Sequence, residues 1–119
     1  MNDLSGCRVL VVEDEVLVAW ALEDMLVALG CCVVGPAARV DQALAMIAAK
    51  SIDVAVLDLN LNGQKSYPVA DALAGQGIPF MFSTGYHKDG IADGYQDFPM
   101  LQKPYEQSEL GGMLATLLL

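Results

Sequence analysis

Basic side chains are scarce in this chain of 119 residues, which has 6 lysines and arginines against 15 aspartates and glutamates and a net charge of −9. This balance argues against binding of nucleic acid by this domain alone, because a phosphate backbone requires a cationic surface. Long apolar runs are also missing: stretches such as Val16–Leu22 are far shorter than the ~20 residues that cross a bilayer. The first residues lack the basic and apolar regions of a signal peptide. We therefore expect a cytoplasmic protein without membrane insertion.

Cysteine is rare as well. Cys7, Cys31 and Cys32 make an odd count with no CxxC pair, and we interpret them as reduced, mostly buried thiols of a cytosolic protein. The hydrophobic share of 55% is large enough for a real core, so disorder is not expected. We expect one domain over residues 1–119.

Apolar strand-like runs alternate with stretches of helical periodicity along the whole chain. The predicted strands are Cys7–Glu13, Cys31–Gly35, Asp53–Asp58, Ile78–Ser83 and Phe98–Gln102, and the predicted helices are Val16–Leu29, Val40–Ala49, Val69–Leu73 and Glu106–Leu118. We expect Gly35-Pro36 to break the second strand and Asn62-Gly63 to form a turn. Alternation of this kind predicts right-handed βαβ units and a parallel sheet with helices on both faces.

The segment His87–Asp97 departs from this alternation. A helix is due there, but Gly90, Gly94 and three aspartates disfavour one, since each interior glycine costs about 1 kcal/mol relative to alanine. We expect a short, mobile or irregular element, and we interpret His87 as a solvated loop residue.

Charged side chains follow three of the predicted strands. Glu13 and Asp14 follow the first, Asp58 ends the third and Lys103 follows the fifth. Ligands of an open parallel sheet bind beyond the carboxyl ends of its strands. Carboxylates ~5 Å apart repel by about 3 kcal/mol per pair at an effective dielectric of ~20, so an acid cluster here favours a hard cation such as Mg²⁺. The alternative interpretation is that Glu13, Asp14 and Asp58 are unrelated surface acids at the starts of loops. The presence of Lys103-Pro104 after the fifth strand disfavours this alternative.

At this point the chain resembles the receiver domains of two-component response regulators, over about Cys7 to Leu118. The matching motifs are Val-Val-Glu13-Asp14-Glu15, Asp58-Leu59-Asn60-Leu61-Asn62-Gly63, Phe82-Ser83-Thr84-Gly85-Tyr86 and Lys103-Pro104. The loop at Thr84 is similar to that of single-domain receivers with a Phe-Ala-Thr-Gly-Tyr motif. The resemblance implies an α/β, flavodoxin-like (βα)5 three-layer sandwich whose five-stranded parallel sheet has the order 2-1-3-4-5.

The resemblance also implies roles for individual residues. Asp58 would be the phosphoacceptor, and the metal, Mg²⁺ or Mn²⁺, would be bound by Asp58, by Asp14 directly, by Glu13 through water and by the backbone carbonyl of Asn60. Thr84, Gly85 and Lys103 would bind the phosphoryl oxygens or change conformation when the phosphoryl group is present. The Lys103–Pro104 peptide would be cis.

The implied donor is a histidine kinase or a histidine phosphotransfer protein, and the output is binding to an unknown downstream protein. We expect no enzyme activity beyond self-phosphorylation and slow self-dephosphorylation. Met100 stands where many receivers carry a switch aromatic, so Tyr86 and the segment His87–Asp97 are predicted to carry the conformational change instead.

Other functions remain as alternatives. A pseudo-receiver would bind partners without phosphorylation. A phosphatase of haloacid-dehalogenase type would need a second acid two residues after its nucleophile, and an FMN carrier would need a phosphate loop where Glu13-Asp14-Glu15 stands. The first helix is apolar almost all round; it is either well buried or offers a docking patch that includes Val16, Val18, Ala19 or Trp20.

Overall fold

Five parallel strands form the central sheet of the computed structural model, which describes residues 4–85 and 91–119. The strands are β1 (Arg8–Val12), β2 (Cys32–Ala37), β3 (Val54–Asp58), β4 (Asn60–Leu61), β5 (Gln64–Lys65), β6 (Phe80–Thr84) and β7 (Met100–Gln102). The sheet order is β2-β1-β3-β6-β7, which is the predicted order 2-1-3-4-5 once the small hairpin of β4 and β5 is left out of the count.

Helices cover both faces of this sheet. They are α1 (Val16–Ala28), α2 (Val40–Ala49), α3 (Tyr67–Gly75) and α4 (Gln107–Leu117). Alternate strand residues point to opposite faces, so Leu10 and Leu57 pack with α2 and α3, whereas Val11 and Val56 pack with α1 and α4. Each buried aliphatic side chain stabilises the fold by about 1.5–3 kcal/mol relative to its exposed state, which holds the carboxyl ends of the strands in register. No helix in the described ranges is long and apolar enough to cross a bilayer.

The expected break at Gly35-Pro36 is wrong, because β2 continues through these residues to Ala37. β2 lies at the edge of the sheet, where the missing N–H of a proline is tolerated. Gly35 has φ +98° and approaches the neighbouring strand so closely that a Cβ would lie 3.0 Å from the carbonyl oxygen of Val11. Beyond this irregularity the N–H of Glu13 still donates to the carbonyl of Ala37 (2.9 Å). The Gly35–Pro36 peptide is cis.

The turn predicted at Asn62-Gly63 is confirmed, but the hairpin around it was not predicted. Asn62 (φ +52°) and Gly63 (φ +88°) are the two central residues between the antiparallel strands β4 and β5. Two consecutive positive φ angles characterise the tight turns that match the twist of a hairpin. The third helix is also longer than the predicted Val69–Leu73, because Pro68 is well suited to a first turn and lets the helix begin at Tyr67.

The crossover between β6 and β7 contains turns and bends but no helix within residues 91–99. The expected irregularity of His87–Asp97 therefore holds for its described part, and His87 itself lies outside the described residues. Aromatic packing replaces helical hydrogen bonding in this crossover: Phe98 lies 4.7 Å from Phe80 between ring centroids, and Tyr95 stacks on Tyr67 at 4.3 Å.

Candidate functional site

Three carboxylates meet beyond the carboxyl ends of β1 and β3. Val12 pairs with Leu57, so the next residues, Glu13 and Asp58, lie beside each other. One oxygen from each of Glu13, Asp14 and Asp58 lies within 4.8 Å of the other two. Glu13 is 4% exposed and Asp58 9% exposed. At this spacing each ionised pair repels by roughly 3 kcal/mol in a medium of effective dielectric ~20, so the cluster requires positive charge nearby.

Lys103, which follows β7, supplies one such charge. Its Nζ lies 2.7 Å from Oε2 of Glu13 and 3.5 Å from Oδ2 of Asp58. The N–H of Lys103 donates to the carbonyl of Thr84 (2.8 Å), and the Lys103–Pro104 peptide is cis, as the resemblance implied. The sequence predicted that this lysine faces the acids, but not that it lies closer to Glu13 than to Asp58.

The protonation of this pair is set by burial and by the bonds between the two side chains. Burial raises the pKa of the Glu13 carboxyl, and the hydrogen bond from Lys103 only partly opposes this rise. Burial by itself would lower the pKa of Lys103, but its bonds and charge interactions with Glu13 and Asp58 raise that pKa above the ordinary value. Lys103 therefore remains a cation, while the negative charge on Glu13 is held in an unfavourable environment.

The acid cluster opens into a cavity of about 550 Å³. The hairpin β4–β5 forms one wall and Lys103 another; the lining residues are Asp14, Glu15, Asp58, Asn60, Asn62, Gly63, Gly85 and Lys103. The N–H of Asn60 lies 3.5 Å from Oδ1 of Asp58. The contribution of Asn62 and Gly63 to this wall was not anticipated, although their turn signal in the sequence pointed to a tight element directly after Asp58.

The donor chemistry of this cluster suits a hard divalent cation. Closely spaced carboxylate oxygens are ligands that Mg²⁺ prefers, and Mg²⁺ usually keeps several waters. A cavity of about 550 Å³ leaves room for a hydrated ion together with a phosphoryl group. The residues present therefore fit the divalent metal that the resemblance to receiver domains implied.

The strand next to Asp58 contributes hydroxyl groups. Ser83 pairs with Asp58 in the parallel register, so the two side chains share one face of the sheet. The Ser83 hydroxyl lies 3.5 Å from the Tyr105 hydroxyl. Thr84, the last residue of β6, is fully buried. The sequence analysis named Ser83 only as part of the loop motif at Thr84; its place beside Asp58 follows from the pairing register.

Of the two positions considered for the conformational switch, Met100 lies among the described residues and Tyr86 does not. Met100 is partly buried and packs against the core under α2 and α3, where Tyr95 and Phe98 also pack. Aromatic rings therefore lie near the position where many receivers carry their own aromatic residue. Tyr86 lies outside the described residues.

The patch proposed on α1 is only partly at the surface. Val16 is 59% and Trp20 58% exposed, whereas Ala19 is 2% exposed and faces the core, so including it was wrong. Leu17, which sequence reasoning did not include, is the most exposed of these residues at 76%. An apolar groove of about 290 Å³ separates α1 from Pro104 and from the ring of Tyr105.

Comparison with known proteins identifies the family. Residues 9–115 match the response regulator receiver domain. The chain is 44% identical to SdrG from Sphingomonas melonis Fr1 over 100% of both chains (TM-score 0.84), and to the beryllofluoride-activated conformation of SdrG from Pseudomonas melonis Fr1 at the same identity and coverage (TM-score 0.83).

A more distant relative has the same fold. The receiver domain of PhyR from Erythrobacter litoralis is 26% identical over 98% of this chain and 93% of its own (TM-score 0.86). No curated protein matches the chain significantly. The match covers nearly the whole chain and the sheet order agrees with it, so this chain belongs to the response regulator receiver domain family of two-component signalling.

Proposed function

We propose that the protein accepts a phosphoryl group on Asp58 from a phosphohistidine of a histidine kinase or phosphotransfer protein, in a magnesium-dependent reaction that changes its binding to a downstream partner. One observation carries the proposal: oxygens of Glu13, Asp14 and Asp58 lie within 4.8 Å of one another, with the Lys103 ammonium 3.5 Å from Asp58.

The chemistry is a transfer between two nucleophiles. A carboxylate oxygen of Asp58 forms a bond to phosphorus as the bond to the donor imidazole nitrogen breaks, and the imidazole keeps the electron pair of that bond. Such transfers depend on alignment and on neutralisation of the phosphoryl oxygens rather than on covalent machinery. Lys103 provides one positive charge at the acceptor, because its raised pKa keeps it protonated.

The divalent ion would be held by Asp14, Asp58 and the carbonyl of Asn60, with Glu13 acting through water. When bound, it supplies positive charge to phosphoryl oxygens and relieves the repulsion between the carboxylates. The buried Thr84 hydroxyl and the Gly85 backbone lie at the end of β6, from which they would bind the transferred group. The proposed chemistry is limited to phosphorylation of Asp58 and slow hydrolysis of the resulting acyl phosphate.

Two features support this proposal over the alternatives. A beryllofluoride-activated conformation exists for the 44% identical SdrG, and beryllofluoride is a mimic of an acyl phosphate. A dehalogenase-type phosphatase would require a second acid two residues after the nucleophile, where this chain has Asn60.

The direct test is incubation with acetyl phosphate and MgCl2 followed by intact-mass measurement. We expect one phosphoryl adduct on the wild type and none on Asp58→Asn or after addition of EDTA. Asp53→Asn is the matched control, because Asp53 precedes the same strand at its opposite end, and it should be phosphorylated like the wild type. A wild type that stays unmodified by acetyl phosphate and by a phosphohistidine donor would indicate a pseudo-receiver instead.

A further inference from the structure

Two side chains of α3 bind the irregular crossover that precedes β7. The Tyr95 hydroxyl donates to Oδ1 of Asp71 at 2.7 Å, and the N–H of Ala92 donates to the Tyr67 hydroxyl at 2.8 Å. The rings of Tyr67 and Tyr95 stack with centroids 4.3 Å apart and an interplanar angle of 29°. We call these contacts of Tyr67 and Asp71 with Ala92 and Tyr95 the clasp.

The crossover segment that carries the clasp also makes apolar contacts with the core. Ile91 is 3% exposed within the core under α2 and α3, and Phe98 packs on Phe80 in the same core. The amide of Gln96 donates to the carbonyl of Ile91 at 3.0 Å. Residues 91–98 thus have a defined position although they form no helix.

Both sides of the clasp connect to the acceptor site. Along the chain, the crossover separates Thr84 from Lys103, the two groups that would bind the phosphoryl oxygens. On the other side, α3 begins directly after Ser66, whose N–H donates to the carbonyl of Leu59 at 2.9 Å, next to Asp58. The Tyr67 ring also meets Phe82 edge-on at 6.2 Å, two residues before Thr84.

We propose that the clasp is an autoinhibitory contact that holds the crossover against α3 in the unphosphorylated protein and opposes the transition caused by modification of Asp58. The proposal rests on the proposed function. Thr84 ends β6, and Phe82 of the same strand contacts the Tyr67 ring, so a movement of Thr84 towards a phosphoryl group acts on the helix to which the clasp fixes residues 92 and 95. A contact that exists only in the unphosphorylated state must break when the protein changes to the phosphorylated state. The free energy of that contact is therefore subtracted from the binding free energy of any ligand that stabilises the phosphorylated state.

The test measures the affinity for beryllofluoride in the presence of MgCl2, followed by NMR. Tyr95→Phe removes only the hydroxyl and keeps the stacked ring. Asp71→Ala and Asp71→Asn both remove one negative charge, but only the asparagine keeps an oxygen that can accept from Tyr95. We expect Tyr95→Phe and Asp71→Ala to bind beryllofluoride roughly three- to ten-fold more tightly than the wild type, the range expected for one net hydrogen bond. Asp71→Asn should stay close to the wild type.

Two controls separate the clasp from general effects. Asp41→Ala removes an exposed carboxylate of α2 that bonds Arg39, and it should leave the affinity unchanged. The double variant Tyr95→Phe/Asp71→Ala should gain no more than either single variant, since both remove the same bond. Amide spectra without ligand verify that each variant is folded.

The outcomes distinguish a failure of the proposed function from a failure of the clasp. A wild type that binds no beryllofluoride refutes the proposed function and the clasp with it. A wild type that binds, with Tyr95→Phe and Asp71→Ala at equal or weaker affinity, overturns the clasp alone and leaves the acceptor site intact.

Discussion

Asp53 and Asp58 stand at opposite ends of β3 in contrasting surroundings. The carboxylate of Asp53 accepts three hydrogen bonds from Arg8, at 2.8 Å from the backbone N–H, 3.1 Å from Nε and 3.0 Å from Nη2. Asp58 shares its surroundings with two further carboxylates, and among the described residues the cation that contacts it, Lys103, lies closer to Glu13. At the amino edge of the sheet, Arg8 neutralises the charge of Asp53. At the carboxyl edge, the three carboxylates carry more negative charge than Lys103 neutralises.

The difference separates stability from function between the two edges of the sheet. Bonds from Arg8 hold the pKa of Asp53 below its ordinary value, so the ionised form is favoured by folding. Burial raises the pKa of Glu13 at the other edge, so its ionised form is disfavoured by folding. Ligands of parallel sheets bind at the carboxyl edge. Uncompensated negative charge there attracts a divalent cation, which in turn attracts phosphoryl oxygens.

The largest expected effect comes from magnesium. At a free concentration of ~100 Kd it should stabilise the wild type by about 2.7 kcal/mol, because the ion binds only the folded cluster. Asp14→Asn removes one carboxylate from the cluster and should lose most of this gain, whereas Asp53→Asn should keep it. Urea unfolding with MgCl2 and with EDTA measures the difference. If MgCl2 stabilised Asp14→Asn as much as the wild type, the ion would bind outside the acid cluster.

The next effect concerns the repulsion at the carboxyl edge. Without metal, Asp58→Asn should be at least as stable as the wild type, with a gain on the order of 1 kcal/mol, because two repulsions disappear along with one attraction to Lys103. Unfolding in EDTA measures this gain, and Asp41→Asn on the surface of α2 serves as the control for removing a charge. A marked loss of stability in Asp58→Asn would contradict the description of a strained cluster.

Asp53→Asn should have the opposite and smaller effect. Its pKa is lowered on folding, so the pairing with Arg8 stabilises the protein above the ordinary value of 3.8 and is lost as pH falls through the lower folded-state value. We expect a melting temperature a few degrees below that of the wild type at neutral pH, with the two values converging in acid. The pair is largely exposed, which keeps the effect small. A difference that grows on acidification would refute this sign.

The smallest effect concerns the thiols near the amino edge. Burial raises the pKa of Cys7 to about 11 and also raises that of Cys31, while Cys32 is exposed, contrary to the expectation of mostly buried thiols. Since the thiolate is the reactive form, iodoacetamide at neutral pH should modify Cys32 first. Cys32→Ser should abolish the rapid phase in a mass time course without altering phosphorylation. Rapid modification of Cys7 would contradict the protection of this half-buried thiol by its raised pKa.

Local sequence patterns predicted the five strands of the central sheet, most helix limits and the residues of the acid cluster, because alternation and strand-end charges are local signals. Other features depend on contacts between distant residues. β2 passes Gly35-Pro36 because it lies at the sheet edge, Ser83 lies beside Asp58 through the register, and Tyr95 finds Asp71 only when the crossover packs on α3. The preference of Lys103 for Glu13 depends on sub-ångström placement that no periodicity encodes.

The most direct measurement of the central claim locates the modified residue. Protein treated with acetyl phosphate and MgCl2 is reduced with sodium borohydride, which converts an aspartyl phosphate to homoserine, and is then mapped by peptide mass spectrometry. We predict homoserine at position 58 and unchanged aspartate at position 14. Reduction at Asp14, or a phosphoryl group retained on a residue outside the acid cluster, would contradict it.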